Sequence, residues 1–215
     1  MSLNYGAPFG FFFKDKTWLK KLAIASLLTC TIIGAAPVFG WTIEIVRRIS
    51  EGEEAPVLEF PDWKTYWSLG GKFALVNAIW LLPLLLAVIV IYLPLVCISR
   101  LPDEAVLVTF AATLCWVALS LLVYSVVYIF FVPAMMVLLA KTGSTGQAMN
   151  PFRLWKAVRP QFTEYLIVFL IVGVGLLNLM LLVAPLTLFL LLPPMLVYAG
   201  LVTAHYAGQL ARRGE

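Results

Sequence analysis

The sequence predicts an all-α polytopic membrane protein. It reads as about four transmembrane helices, an N-terminal apolar segment that either re-enters or spans, and short amphipathic helices at the interface. Three observations predict this. Of 215 residues, 62% are hydrophobic and 12% charged, against about half and a quarter in a soluble domain. Mean hydropathy is +0.98. Several apolar runs exceed the ~18 residues that mark a membrane-crossing helix. The whole chain, 1–215, is read as one integral membrane domain.

Taken in order, residues 1–13 are rich in Gly and Phe and read as irregular. Asp15 can cap a short helix from Lys16, with Trp18, Leu19 and Leu22 on one face and Lys16 and Lys20 on another. That is an interfacial helix with an aromatic anchor. Leu22–Val46 is apolar and long enough to span once, yet basic residues flank both ends. Gly34-Ala35-Ala36-Pro37 offers a turn at its middle. Glu44 sits three and four residues before Arg47 and Arg48, a favourable helical spacing. A Lys-Lys pair before an apolar run also mimics a signal peptide, but the aromatic stretch ahead of it favours an uncleaved segment.

An acidic loop follows over residues 49–60, and Pro61-Asp62 suits a helix start. Trp63, Tyr66 and Trp67 share a face of that helix, which is expected to end at Gly70-Gly71. Phe73–Leu95 reads as a span kinked by Pro83. After a tight connection bearing Arg100, Ala105–Leu139 is too long for one perpendicular crossing, so tilt or a break near Pro133 is expected. Lys141–Met149 is a linker. Asn150-Pro151 starts a helix carrying Trp155. Tyr165–Ala207 has no Asp, Glu, Lys or Arg and suffices for two spans. Its turn is expected near Ala184–Thr187, with Pro193-Pro194 as the competing position.

Lys and Arg set orientation. They cluster before Leu22, after Val46 and after Leu139, leaving one basic residue near Arg100 and none near Pro185. Both termini are thus expected in the cytoplasm. Only Leu22–Val46 conflicts, since it runs from inside to inside. A re-entrant hairpin resolves this and must be covered by protein, because a turn's open backbone groups cannot face lipid. A simple span with misplaced arginines is the other reading. The unit of interfacial helix plus apolar hairpin recurs from near Asp15, Pro61 and Pro151, and the second and third share orientation, which suggests that those two are parallel repeats.

Two blocks carry a family resemblance. One runs from Phe12-Phe13-Lys14-Asp15-Lys16-Thr17-Trp18-Leu19-Lys20-Lys21 through Gly40-Trp41-Thr42-Ile43-Glu44-Ile45-Val46-Arg47-Arg48 to Pro61-Asp62-Trp63; the other is Asn150-Pro151-Phe152 through Tyr165. Together they resemble a prokaryotic family of small multi-span membrane proteins known as domain of unknown function four-zero-one-three. The loop from Glu54 to Phe60 departs from the family's shorter link. The resemblance implies a prokaryotic cytoplasmic (inner) membrane, and it brings neither an accepted activity nor a catalytic residue.

Little in the chain suggests bond-making chemistry. Cys30, Cys97 and Cys115 are widely spaced and read as small buried thiols rather than a disulfide or zinc set. His205 is the only histidine. It is read as a peripheral hydrogen-bonding residue whose change to Ala leaves folding intact, with a pigment's axial ligand as the less favoured role. Asn77, Asn178, Ser120 and Ser125 read as interhelical hydrogen bonds rather than a substrate path. The net charge of +4 is assigned to loops beside lipid headgroups, not to nucleic acid. Gly200, Ala204 and Gly208 recur every four residues and form a smooth face, for packing within the chain or onto another subunit. No cofactor, no metal and no enzymatic activity are expected. The expected partners are membrane lipids and other integral subunits. The favoured function is a scaffold or accessory subunit of a membrane assembly, with a small permease or lipid-handling protein as the alternative. Trp18, Trp63, Trp67 and Trp155 are the expected interfacial anchors.

Overall fold

The computed structural model describes residues 3–31, 33–53, 63–97, 103–187 and 189–214, with side chains at all of these but 87–97, 103 and 104. The described elements are helical, and no strand occurs among them. The helix start at Pro61-Asp62, the acidic stretch 54–60, the connection at Arg100 and the Cys97 side chain lie outside what is described.

The N-terminal residues are ordered, contrary to expectation. A helical turn, α1 (Ala7–Gly10), leads into a 3-10 turn, Phe12–Lys14. Phe11 and Phe12 are fully buried, so aromatic burial fixes a segment whose glycines suggested none. Asp15 then closes a turn by accepting from the backbone N–H and hydroxyl of Thr17 at 2.7 and 2.8 Å. It also pairs with Lys21. Helix α2 spans Trp18–Thr29 and α3 spans Ala35–Ser50. The chain turns over Cys30–Gly34, slightly earlier than expected, and Pro37 sits in the first turn of α3, where a proline's missing N–H costs nothing. Helix α3 ends in a Schellman motif: Gly52 takes φ 105°, with N–H bonds from Gly52 to the Ile49 carbonyl and from Glu53 to the Arg48 carbonyl.

Helix α4 runs Trp63–Cys97 without interruption. Gly70-Gly71 therefore does not end an interfacial helix. A Cβ on Gly70 would overlap the Ala36 carbonyl oxygen, and one on Gly40 would overlap the Tyr66 carbonyl oxygen. These glycines let α3 and α4 cross backbone to backbone. Helix α5 covers Asp103–Thr142 through Pro133, with no break there. The expected linker contains a short helix, α6 (Thr145–Met149). As expected, Asn150 caps α7 (Pro151–Val158), its side chain accepting from Phe152 N–H and Arg153 N–H. After a 3-10 turn come α8 (Phe162–Val168), a π-helical segment (Phe169–Leu176) and α9 (Leu177–Leu186). The last turn follows at Thr187, as favoured, with Phe189 at φ 63°. Pro193-Pro194 belongs instead to the start of α10 (Leu192–Arg213).

Among the described residues, three segments are long and apolar enough to cross a membrane: Trp63–Leu86, Ala105–Thr142 and Pro151–Leu186. The fourth expected span, α10, is different in kind. Thr203, His205, Tyr206 and Gln209 lower its hydropathy, and Leu201 through Gly208 are buried without a gap. A helix covered on every side is a core helix.

Packing gives the directions. Gly200 faces Thr42 and Gly208 faces Ile49, so α3 and α10 run the same way. Lys141 donates to the Ala211 carbonyl at 2.8 Å, while Pro133 and Thr203 line one cavity, so α5 shares that direction. Helix α4 opposes α3 and α5, with Ala36 at Gly70 and Lys72 donating to the Gly143 carbonyl at 2.9 Å. The C-terminal ends of α3, α5 and α10 thus gather at one pole, carrying Arg47, Arg48, Lys141, Arg212 and Arg213.

Candidate functional site

The core of the molecule is α10 and what wraps it. The N-terminal segment lies antiparallel along this helix. Asn4 exchanges two hydrogen bonds with the Gln209 side chain at 2.9 and 3.2 Å. The Tyr206 hydroxyl donates to the Tyr5 carbonyl at 2.7 Å, and the Tyr198 hydroxyl to the Phe9 carbonyl at 2.8 Å. Sequence reasoning missed this strap. The available signal was polar tips (Tyr198, Tyr206 and Gln209) spaced along one helix, opposite an aromatic N-terminus.

His205 lies inside this arrangement, 4% exposed. Its ring sits 4.6 Å from that of Phe11, and its Nδ1 is 3.0 Å from Gln209 Nε2. The expectation of a peripheral residue is therefore corrected. The strap covers the ring, and removing it leaves a cavity in the core.

The Gly200, Ala204 and Gly208 face meets α3. A Cβ on Gly208 would fall 2.5 Å from Ile49 Cβ, while one on Gly200 would sit 3.8 Å from Thr42 Cγ2. Ala204 is fully buried. The face packs within the chain, tightly at Gly208 and loosely at Gly200.

Charges pair locally. The buried Glu44 accepts from Arg47 Nη2 at 2.6 Å and Arg48 Nε at 3.3 Å through Oε1, at the helical spacing expected. Glu164 on α8 pairs with Arg213 at 3.1 Å. The Asp15 carboxyl is held down to a pKa of about 2, first by the Lys21 ammonium and then by the Thr17 N–H.

Among the polar residues of the spans, Asn77 bridges α4 and α5, its Oδ1 accepting from the Tyr128 hydroxyl. Asn178 instead donates to its own helix at the Val174 carbonyl, 2.6 Å away. Cys30 and Cys115 are exposed rather than buried, because α2 and α5 leave those faces open. Trp63, Trp67 and Trp155 are 41%, 43% and 48% exposed. Trp18 is partly covered by Phe13, 5.0 Å away.

One apolar cavity of about 170 Å³ lies at span level, lined by Ile129, Pro133, Phe169, Val172, Gly173 and Thr203 among others. Pro133 cannot donate a backbone hydrogen bond, and the wider π-helical turn displaces its side chains from the α-helical rows. Both irregularities face the same space. Gly173 brings the π-segment against Ile129.

The family model described as "Protein of unknown function (DUF4013)" matches residues 23–192. The chain belongs to this family. No curated protein and no solved structure matches it. Family membership agrees with the resemblance carried by the blocks from Phe12 to Trp63 and from Asn150 to Tyr165. It supplies no activity for the cavity or for α10.

Proposed function

We propose that this chain is a non-enzymatic integral scaffold or accessory subunit of a larger membrane assembly. It would sit in a prokaryotic cytoplasmic membrane with both termini and the basic pole inside. The observation that carries this is the bareness of the spans. No residue in the most apolar window of Ala105–Thr142 is buried by the rest of the chain, and only 17% and 11% are in Trp63–Leu86 and Pro151–Leu186. Spans so little covered by one another do not enclose a polar route, but they do offer long lateral faces. Close van der Waals packing and interhelical hydrogen bonds drive association of such faces in lipid.

In this reading α2 and α3 form a re-entrant hairpin. At 12 and 16 residues and 1.5 Å per residue, the arms measure about 18 and 24 Å, short of the ~30 Å hydrocarbon core. Backbone groups of the turn are satisfied through one hydroxyl: Gly34 N–H donates to Thr31 Oγ1 at 2.9 Å, and Thr31 Oγ1 donates to the Leu28 carbonyl at 3.0 Å. That lowers the cost of a turn inside the membrane.

The second reading, a lipid-handling protein, draws on the cavity at Pro133 and Gly173, whose lining suits a segment of acyl chain. Gentle extraction followed by native mass measurement separates the two. The subunit reading expects fixed partner polypeptides in stoichiometric amounts. A lone monomer or homodimer that moves lipid between vesicles would replace it with the second.

A further inference from the structure

We infer that the notch between α6, α7 and the end of α5 is a binding site for the phosphodiester headgroup of an anionic membrane lipid. Arg153, Lys156 and Gln147 line it together with Leu138 and Ala157, around a volume of about 500 Å³. The two cations are three apart on α7, so their side chains leave the helix as neighbours, with Cβ atoms about 5–6 Å apart. Both are exposed. Among the described residues neither forms an ion pair, whereas Arg47, Arg48 and Arg213 are each committed to a carboxylate. Gln147 adds an amide donor from α6. The site therefore offers two positive charges and a neutral donor around one concavity, the complement of a phosphodiester.

The surroundings select the lipid-borne form of that anion. Phe152, 84% exposed, and Trp155, 48% exposed, alternate along α7 with the two cations. Leu154 and Val158 on the opposite face are fully buried and hold the helix to the protein. An exposed Phe and Trp beside paired cations place α7 at the headgroup level, acyl chains against the aromatics and phosphate against the cations. Leu138 and Ala157 give the notch an apolar wall where a glycerol backbone can rest. The pole that carries it also carries the C-terminal ends of α3, α5 and α10, and basic pockets at such a pole bind anionic headgroups.

The test uses the full chain in lipid nanodiscs. Retention of phosphatidylglycerol against phosphatidylcholine is read by native mass spectrometry for the wild type, Arg153→Gln, Lys156→Gln and the double variant. Each substitution removes one charge-assisted contact to the phosphate, so each single variant is expected to lose about tenfold in phosphatidylglycerol preference and the double variant roughly 100-fold. Lys20→Gln, which removes an exposed charge on α2, is expected to change it less than twofold. Glycerol phosphate in solution is expected not to displace the lipid at millimolar concentration. An equal loss in Lys20→Gln would show a diffuse charge effect and overturn the site. Equal retention of phosphatidylcholine, or displacement by glycerol phosphate, would overturn the lipid assignment. Melting temperature in neutral detergent, where no anionic lipid is present, is expected to be unchanged by either substitution. A fall there together with lost lipid would assign Arg153 and Lys156 to the fold and overturn the site.

Discussion

Asp15 shows how much a single side chain carries at the mouth of the hairpin. Lys21 is 8% exposed, and its ammonium is tolerable there because Asp15 faces it. The Asp15→Asn variant keeps a neutral acceptor but withdraws the charge. A hydrogen bond to a charged group contributes about 1.5–3 kcal/mol, so a loss of about 2 kcal/mol is expected in detergent-solubilised stability. The pH dependence follows from the depressed carboxyl. With a folded value near 2, below the unfolded value, the contribution is complete above about pH 4 and disappears as the pH falls through about 2. Melting temperatures between pH 6 and 2 should show a wild-type decline over that window that Asp15→Asn lacks. Parallel curves for the two proteins would remove Asp15 from the account. His205 belongs at this scale too. Its burial under Phe11 makes His205→Ala a cavity-forming change, with an expected loss of about 2–3 kcal/mol, in contrast to a surface histidine.

At the scale of elements, α10 is held by contacts of very different tolerance. Gly208 has no room, since a Cβ there meets Ile49 at 2.5 Å. Gly208→Ala has to push α10 off α3 and should cost about 1–3 kcal/mol. Gly200→Ala places its methyl at 3.8 Å from Thr42, ordinary van der Waals contact, and should change the melting temperature by no more than a degree or two in either direction. Both variants should leave native mass unaltered if the face serves only α3. A lower assembly mass in Gly200→Ala with unchanged stability would show that this face also reaches a partner. The crossing of α3 and α4 at Gly40 and Gly70 is stricter still, because both colliding atoms are backbone oxygens that no rotamer change can move.

For the whole molecule, the parallel α3, α5 and α10 make a topological prediction. Gly52, Gly146 and Gly214 follow or flank the C-terminal ends of these helices and should lie on one side of the membrane, with Pro102 opposite. In a background lacking Cys30, Cys97 and Cys115, single cysteines at these positions should react with an impermeant maleimide from the cytoplasmic side at the first three and from the outside at Pro102. A cysteine at Ile33, near the hairpin tip and 73% exposed, should resist the reagent from outside. Reaction of Gly52Cys from outside would make Leu22–Val46 a true span.

The sequence by itself determined the membrane class, the helical content, the family and several local junctions. These include the Asn150-Pro151 start, the Glu44 pairing with Arg47 and Arg48, and the final turn at Thr187. Each is set by hydropathy or by partners within four residues, which are visible along the chain. Tertiary structure alone decided the rest. Nothing local marks Gly70 as a crossing point rather than a helix end, since the colliding carbonyl belongs to Ala36. Nothing local shows that residues 3–14 are ordered, because the tyrosines and glutamine that fix them lie about two hundred positions away. Above all, along the chain the apolar run of α10 reads like that of any other span. That α10 is also the buried core of the molecule follows because α3, α5 and the N-terminal strap bury its polar groups, and burial by distant segments is not a property that any window of sequence contains.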